Sequence, residues 1–395
     1  MTAFLTLNAG SSSLKFSIFV QSDRLEQVAE GQVENIGGAA RLTVDRADFA
    51  DREIGAVDHD GAMQAVLDVL RPRLQGRTLA GVGHRIVHGG DKFEEPVRLT
   101  PEILSALQKY EPLAPLHQPF NLRGVAAAQT AFAGVPQVAC FDTAFHRGHP
   151  WVNDTFGLPR HFYEEGVRRY GFHGLSYKYI TDTLRRKMPE IAKGRVVIAH
   201  LGNGASMCAV RNGESVGSTM GFSALDGLPM GTRCGQIDPG VILYLIRRGY
   251  TEAELTRVLY RESGLKGLSG LTHDMRTLLA SDLPEAKQAI DYYLFRCRRE
   301  LGAMSAVLGG LDAMVFCGGI GENAAPIRAG IISGMEYLGL RLDPVANQES
   351  RTHINAAEVP ILVIPTDEER VIAEATAALT SAHMPHLLPV HGGQA

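Results

Sequence analysis

The 395-residue sequence predicts an α/β protein made of two related domains that close on one nucleotide. Three observations carry that prediction. The length exceeds what one ordinary hydrophobic core fills, so two domains are expected. Two stretches share one grammar of apolar strand, small polar turn and apolar strand. In the first, Leu5-Thr6-Leu7-Asn8 runs into Ala9-Gly10-Ser11-Ser12-Ser13 and leaves through the apolar run 14–20. In the second, Val197-Ile198-Ala199-His200-Leu201 runs into Gly202-Asn203-Gly204 and leaves through Ala205-Ser206-Met207-Cys208. With Gly10 set on Gly202, Asn8 falls on His200. The two copies begin similar-sized halves of the chain, which is the third observation.

Taken in order, residues 3–34 read as a meander of strands. Ala62, Val66, Leu67 and Leu70 recur at helical spacing and predict a helix over 59–72. A strand then enters Gly83-His84-Arg85-Ile86-Val87-His88-Gly89-Gly90. Helices are expected over 101–109 and 119–132, and a short strand over 135–141. Residues 147–160 hold two prolines and the only tryptophan, and read as a crossing between domains. Alternating helix and strand resumes near 174. A glycine-rich loop covers 217–236, and helix follows Asp238. A helix spans 283–308. The apolar strand 313–317 leads into Gly318-Gly319-Ile320-Gly321-Glu322-Asn323, read as a turn before a helix. A last strand, 360–364, precedes a C-terminal helix, and the final dozen residues read as a loose tail.

Composition excludes several partners. Apolar residues make up 45% and charged residues 21%, a soluble globular balance. A net charge of −4 without a basic run argues against nucleic acid or an anionic membrane as partner. No apolar run approaches about 18 residues, and the first residues enter a strand without a basic region, so neither membrane span nor leader is expected. Five scattered cysteines without C-x-x-C spacing point to a reducing cytoplasm.

The polar clusters lie where apolar strands end, which is where ligands collect in open α/β sheets. Gly10 lets the backbone bend close to a ligand, the serines and exposed amides can wrap a phosphate, and Lys15 adds a point charge. This is no P-loop, because the G-x-x-x-x-G-K-[ST] order is missing and no helix follows. The glycine turn at 318–322 would let a nucleotide lie against backbone. Arg85 and Arg233, each beside glycine at a strand or loop mouth, can fork onto a carboxylate or phosphoryl group, or form surface ion pairs. His84, His88, His117, His146 and His173 lack H-x-x-x-H spacing on a helix and read as hydrogen-bonded structural histidines rather than zinc ligands. Asp142 ends a strand as helix cap or catalytic carboxylate. Glu368 ends another, and such oxygen donors suit Mg2+.

Together the motifs resemble the acetate kinase family of the sugar-kinase/Hsp70/actin superfamily. The resemblance rests on N-x-G-S-S-S-x-K-F at 8–16, G-H-R-x-V-H-G-G at 83–90, A-P-L-H at 114–117 and F-D-T-A-F-H at 141–146. It continues with R-R-Y-G-F-H-G at 168–174, H-L-G-N-G-A-S at 200–206, M-G-T-R at 230–233, G-G-I-G-E-N at 318–323 and I-P-T-x-E-E at 364–369. It implies an α/β fold of two duplicated actin-like (ribonuclease H-like) domains with a nucleotide cleft between them. The N-terminal domain would be 1–146 plus about 370–395, and the C-terminal domain 147–369. The implied activity is reversible, Mg2+-dependent, in-line transfer of the ATP γ-phosphoryl group to acetate or another short-chain carboxylate, with Mn2+ able to replace Mg2+. It implies Asn8 and Glu368 as metal ligands. Ser12 and Lys15 would touch the transferring phosphate, and Arg85 and Arg233 the carboxylate and phosphoryl oxygens. His173 would stabilise the transition state, and Asp142 would position substrate or arginine. Val87, Leu116 and Phe172 would line a methyl pocket. His200, Leu201, Gly202, Asn203, Gly204, Asp274, Met275, Arg276, Gly318, Gly319, Ile320, Gly321 and Glu322 would bind ATP or ADP. A cytoplasmic homodimer is also implied.

The chain departs from the family pattern at several positions. Leu175 and Tyr177 replace a threonine and a histidine, Ala224 replaces a proline beside the acyl pocket, and Gln236 replaces an aspartate. Ala224 leaves propionate or butyrate as alternative substrates. A non-catalytic actin-like nucleotide-binding protein and a phosphatase of the same fold are further alternatives.

Overall fold

The computed structural model describes residues 2–45, 51–74 and 76–381. These fall into two compact units. The first comprises the described parts of 1–86, 95–140 and 369–381, and the second Val87–Glu94 and Phe141–Glu368. Residues 87–94 and 141–146, expected with the first domain, belong to the second unit. The expected tail lies outside the described residues.

The first unit is organised on an eight-stranded sheet. Its strands are β1 (Thr2–Ala9), β2 (Ser13–Gln21), β3 (Leu25–Glu34), β4 (Ala40–Val44), β5 (Arg52–Gly55), β6 (Thr78–Ile86), β7 (Val97–Arg98) and β8 (Gln137–Phe141), in the order β5-β4-β3-β2-β1-β6-β8-β7. β1 is apolar almost throughout because both its faces are covered. On one face the helix His59–Arg73 sets Ala62, Val66, Val69 and Leu70 against Leu5, Leu7 and Leu14. Asp58 starts that helix by accepting from the Gly61 amide. On the other face Phe4 and Phe19 meet Ala373 of the helix Glu368–Ser381. β1 and β2 pair antiparallel with Asn8 opposite Lys15, and β1 and β6 pair parallel with Leu7 opposite His84. Arg85 follows immediately, at the sheet end where the β1–β2 turn lies.

The second unit carries β9 (Arg195–Leu201), β10 (Ala205–Arg211), β11 (Glu214–Ser218), β12 (Ala313–Cys317) and β13 (Ile361–Val363), in the order β11-β10-β9-β12-β13. β3-β2-β1-β6-β8 has the same pattern: a three-stranded antiparallel meander whose first strand is flanked by a parallel strand from later in the chain. The duplicated actin-like fold is therefore visible within each unit separately. Helix Gly174–Lys187 packs Tyr177, Ile180 and Leu184 against Val196, Ile198 and Val315. The helix Pro284–Leu308 covers β9, β10 and β11.

The expected helices appear as His59–Arg73, Pro101–Gln108, Gln118–Ala131 and Pro284–Leu308. Two local readings change. Residues 147–160, read as a crossing between domains, contain the helix Trp151–Asp154 and lie in the second unit, where buried Arg147 and Asp154 pair at 3.3 Å. Residues 318–323 are not a turn before a helix but the helix Gly318–Asn323 itself, followed by Ala325–Ile332.

The close fit of the last helix on β6 is testable. A Cβ at Gly83 would lie 2.2 Å from Thr376 Oγ1 and 2.5 Å from Ile372 Cγ2. Gly83→Ala should lower unfolding free energy in urea by about 1–3 kcal/mol. An unchanged midpoint and slope would show that the helix yields without cost.

Candidate functional site

In the first unit the β1–β2 turn is fastened from behind. The Gly10 amide donates to the Ser13 carbonyl at 2.8 Å, and the Ile36 amide to the Ser12 carbonyl at 3.0 Å. Two side chains hold two further carbonyls. Asn121 Nδ2 donates to Ala9 at 2.6 Å, and His59 Nε2 donates to Gly10 at 2.9 Å. The turn leaves Ser12 and Lys15 exposed. Arg85 is half-buried one residue after His84, whose imidazole is bonded to Gln137 Oε1 at 2.7 Å. Burial pushes His84 down to about 4, so it is a neutral structural group. Leu116 is half-buried just before the Gln118–Ala131 helix. Sequence reading missed His59 and Asn121; neither carries a local signal.

In the second unit His173 takes a left-handed backbone, φ 58°, at the start of the Gly174–Lys187 helix. Gly174 is required there, because a Cβ would lie 2.2 Å from the Asp142 carbonyl, which already accepts from the Gly174 amide at 2.9 Å. Asp142 is thus tied by its backbone beside His173, and its side chain is buried. The His173 ring stacks on His200 with centroids 4.3 Å apart. Its Nδ1 is 2.8 Å from Ser206 Oγ, which also bonds the Tyr177 hydroxyl. A methyl group built on Gly204 would sit 3.1 Å from His173 Nε2 and 3.9 Å from Arg233 Nη1, so both groups converge on the 202–204 turn. Arg233 Nη1 donates to the Ala224 carbonyl at 3.4 Å, and the Gly231 amide to the Asn203 carbonyl at 3.0 Å. Phe172 is buried against His88, next to buried Val87.

Beside that turn lies a cavity of about 560 Å³ lined by Gly202, Asn203, His273, Asp274, Met275, Arg276, Gly319 and Ile320 among others. Seven of the sequence-predicted nucleotide residues line it; His273 was missed. Asp274 caps the helix Met275–Leu279 and pairs with Arg276 at 2.8 Å. Other predicted residues serve the walls. Leu201 is wholly buried and His200 Nδ1 bonds Ser176 at 2.8 Å. Gly318 has φ 76°, and a Cβ there would lie 2.8 Å from the Leu201 carbonyl. The Glu322 carboxylate turns inward to accept from the Gly318 amide at 2.8 Å and the Thr366 amide at 3.1 Å. Arg328, wholly buried, clamps the other end of that helix by donating to the Gly321 and Glu322 carbonyls at 2.9 Å and to Asn347. Nothing in the sequence signalled Arg328.

Asn8 and Glu368 offer an amide oxygen and a carboxylate. Among the described residues no group of three or more His, Cys, Asp or Glu side chains could hold a metal ion. Each taken by itself is a hard oxygen donor of the kind Mg2+ accepts.

The chain matches the family model described as the acetokinase family over residues 3–374. It is 53% identical over 392 residues to an acetate kinase of Methylocella silvestris, covering 95% of this chain and 97% of that protein. It is 50% identical over 390 residues to an acetate kinase of Nitrobacter hamburgensis, covering 96% of each. Among solved structures, a propionate kinase from Francisella tularensis superposes with a TM-score of 0.91 at 36% identity, and Porphyromonas gingivalis acetate kinase with 0.87 at 34%; each covers 96% of this chain and 100% of its own.

The buried imidazoles predict an acid-side loss of stability. His146, bonded to Phe172 O and Ser215 Oγ, is pushed by burial down to about 4, as is His84. The unfolded chain protonates these rings at their ordinary value near 6.5, while the fold refuses the proton until about 4. Stability is therefore complete above pH 6.5 and falls as pH drops toward 4, by on the order of 3 kcal/mol for each ring. Urea midpoints measured from pH 7.5 to 5 should decline below 6.5. A flat profile would contradict burial of these rings in the neutral form.

Proposed function

The chain belongs to the acetokinase family, and from that membership we propose that it transfers the ATP γ-phosphoryl group reversibly to acetate, giving acetyl phosphate and ADP. The convergence of His173 Nε2 and Arg233 Nη1 on the 202–204 turn is the observation that carries this reading.

Acetate is ionised near pH 7, so its carboxylate attacks phosphorus without a general base. A loose phosphoryl-transfer transition state requires alignment and charge neutralisation above all. In the proposed reaction Arg85 forks onto the carboxylate while Val87, Leu116 and Phe172 surround its methyl group. Ser12 and Lys15 hold the transferring phosphoryl, and Arg233 neutralises the charge spreading over its equatorial oxygens. His173 donates to one of those oxygens, and Asp142 orients substrate or arginine. ADP leaves from the cavity between the 202–204 turn and the Gly318–Asn323 helix. When bound, Mg2+, with Mn2+ as a substitute, neutralises charge on the nucleotide phosphates, and Asn8 and Glu368 are the donors assigned to it.

A homodimer is part of the proposal. The helix Pro239–Arg247 is apolar, yet Val241, Leu243, Tyr244 and Ile246 are exposed, as a covered interface would require. Five free cysteines support a cytoplasmic location.

Hydroxylamine trapping after incubation with ATP, Mg2+ and acetate should yield acetohydroxamate. Its absence from folded protein would overturn the proposal. Arg233→Ala should lower kcat by about 10²–10³-fold, the loss expected for one preorganised charge donor, roughly 2.7–4 kcal/mol. In kcat/KM, propionate should differ from acetate by about 10–200-fold at most, since one methylene is worth about 1–3 kcal/mol.

A further inference from the structure

We propose that Tyr177, acting through Ser206, is a positioning residue that fixes His173 as the tautomer carrying its proton on Nε2. The inference deepens the proposed function, because it rests on His173 donating to the transferring phosphoryl group. It starts from a buried relay of three side chains, Tyr177, Ser206 and His173.

The three groups form one hydrogen-bonded relay. Tyr177 and Ser206 are wholly buried, and His173 nearly so. Ser206 Oγ lies 2.8 Å from His173 Nδ1 and 2.5 Å from the Tyr177 hydroxyl, and among the described residues that serine is the one hydrogen-bond partner of the phenol. A serine hydroxyl has one hydrogen to give and two lone pairs to receive. If the phenol donates to Ser206 and Ser206 donates to Nδ1, every buried hydrogen in the chain has an acceptor. If Ser206 instead donates to the phenol oxygen, the phenol hydrogen is stranded. If His173 carries its proton on Nδ1 while the phenol donates, the serine hydrogen is stranded. Buried hydroxyls left without acceptors are costly, so the first arrangement dominates. The phenol cannot escape by ionising, because burial raises its pKa well above the ordinary value.

The consequence reaches the proposed chemistry. With Nδ1 accepting, Nε2 carries hydrogen, and Nε2 is the atom turned to the 202–204 turn. The opposite tautomer would aim a lone pair at an anionic phosphoryl oxygen. A serine alone could rotate to serve either tautomer; the phenol removes that freedom.

The test uses Tyr177→Phe, which keeps the ring in the core, with Ser206→Ala and the double variant. Long-range 15N–1H spectra of histidine-labelled protein, with His173 assigned by its absence from His173→Gln, should show protonated Nε2 and bare Nδ1 in the parent. A mixed population should appear in Tyr177→Phe. Tyr177→Phe should lower kcat roughly tenfold with KM values unchanged, and should add nothing to the loss in Ser206→Ala. A mixed or Nδ1-protonated parent spectrum overturns the relay even if the enzyme is fully active. A kcat loss that is undiminished in the Ser206→Ala background, or a fall in melting temperature with unaltered spectrum and kcat, overturns it as well. A parent with the expected tautomer but no acyl-phosphate formation sinks the proposed function and leaves the tautomer assignment standing.

Discussion

A tight turn between two buried strands must dispose of its own carbonyls, and this constraint organises both units. Buried or crowded carbonyls need donors. At the β1–β2 turn those donors come from two helices, as His59 Nε2 on Gly10 and Asn121 Nδ2 on Ala9. At the β9–β10 turn they come from loop backbone, with the Gly231 amide on Asn203. Each turn is thereby held without a ligand, so binding does not have to order it. The helices His59–Arg73 and Gln118–Ala131 can supply those donors only because their apolar faces are locked onto the sheet. Core packing and site geometry are one problem here.

The second unit meets a related difficulty with charge. Arg328 is wholly buried, and the groups that bind it are carbonyls, an amide oxygen and a hydroxyl rather than a carboxylate. Burial lowers its pKa, yet a fork of donors can be satisfied by carbonyl oxygens at the end of a helix. The Gly318–Asn323 helix therefore has both ends fastened, by Glu322 at its start and by Arg328 at its finish. The cavity wall formed by Gly319 and Ile320 thereby keeps its shape although its residues are small.

What the sequence disclosed follows from how far each contact reaches. The paired hairpins were legible because strand, turn and strand are contiguous, and the long helices because their apolar spacing is local. The helical character of 318–323 was not, since consecutive glycines carry weak propensity and the helix is imposed by Glu322, Arg328 and the strand before it. His59 and Asn121 reach 49 and 112 residues along the chain to their carbonyls, beyond any periodicity. Glu322 and Leu201 sit inside recognisable motifs, yet one fastens backbone and the other fills core. Short motifs mix residues that touch a ligand with residues that shape the wall behind it.

That division of labour bears on substrate choice. Ala224 stands where the family pattern has proline, but what it gives Arg233 is its backbone carbonyl, at 3.4 Å. A backbone contact survives a change of side chain, so the guanidinium keeps its place while the shape of the neighbouring wall is free to vary. The position of the guanidinium and the volume of the side chain at 224 are then separately adjustable. Because a methylene in an apolar pocket is worth only about 1–3 kcal/mol, small changes of this kind suffice to move preference between two- and three-carbon acids. Among similar solved structures stand a propionate kinase at 36% identity and an acetate kinase at 34%, named for acids that differ by one methylene.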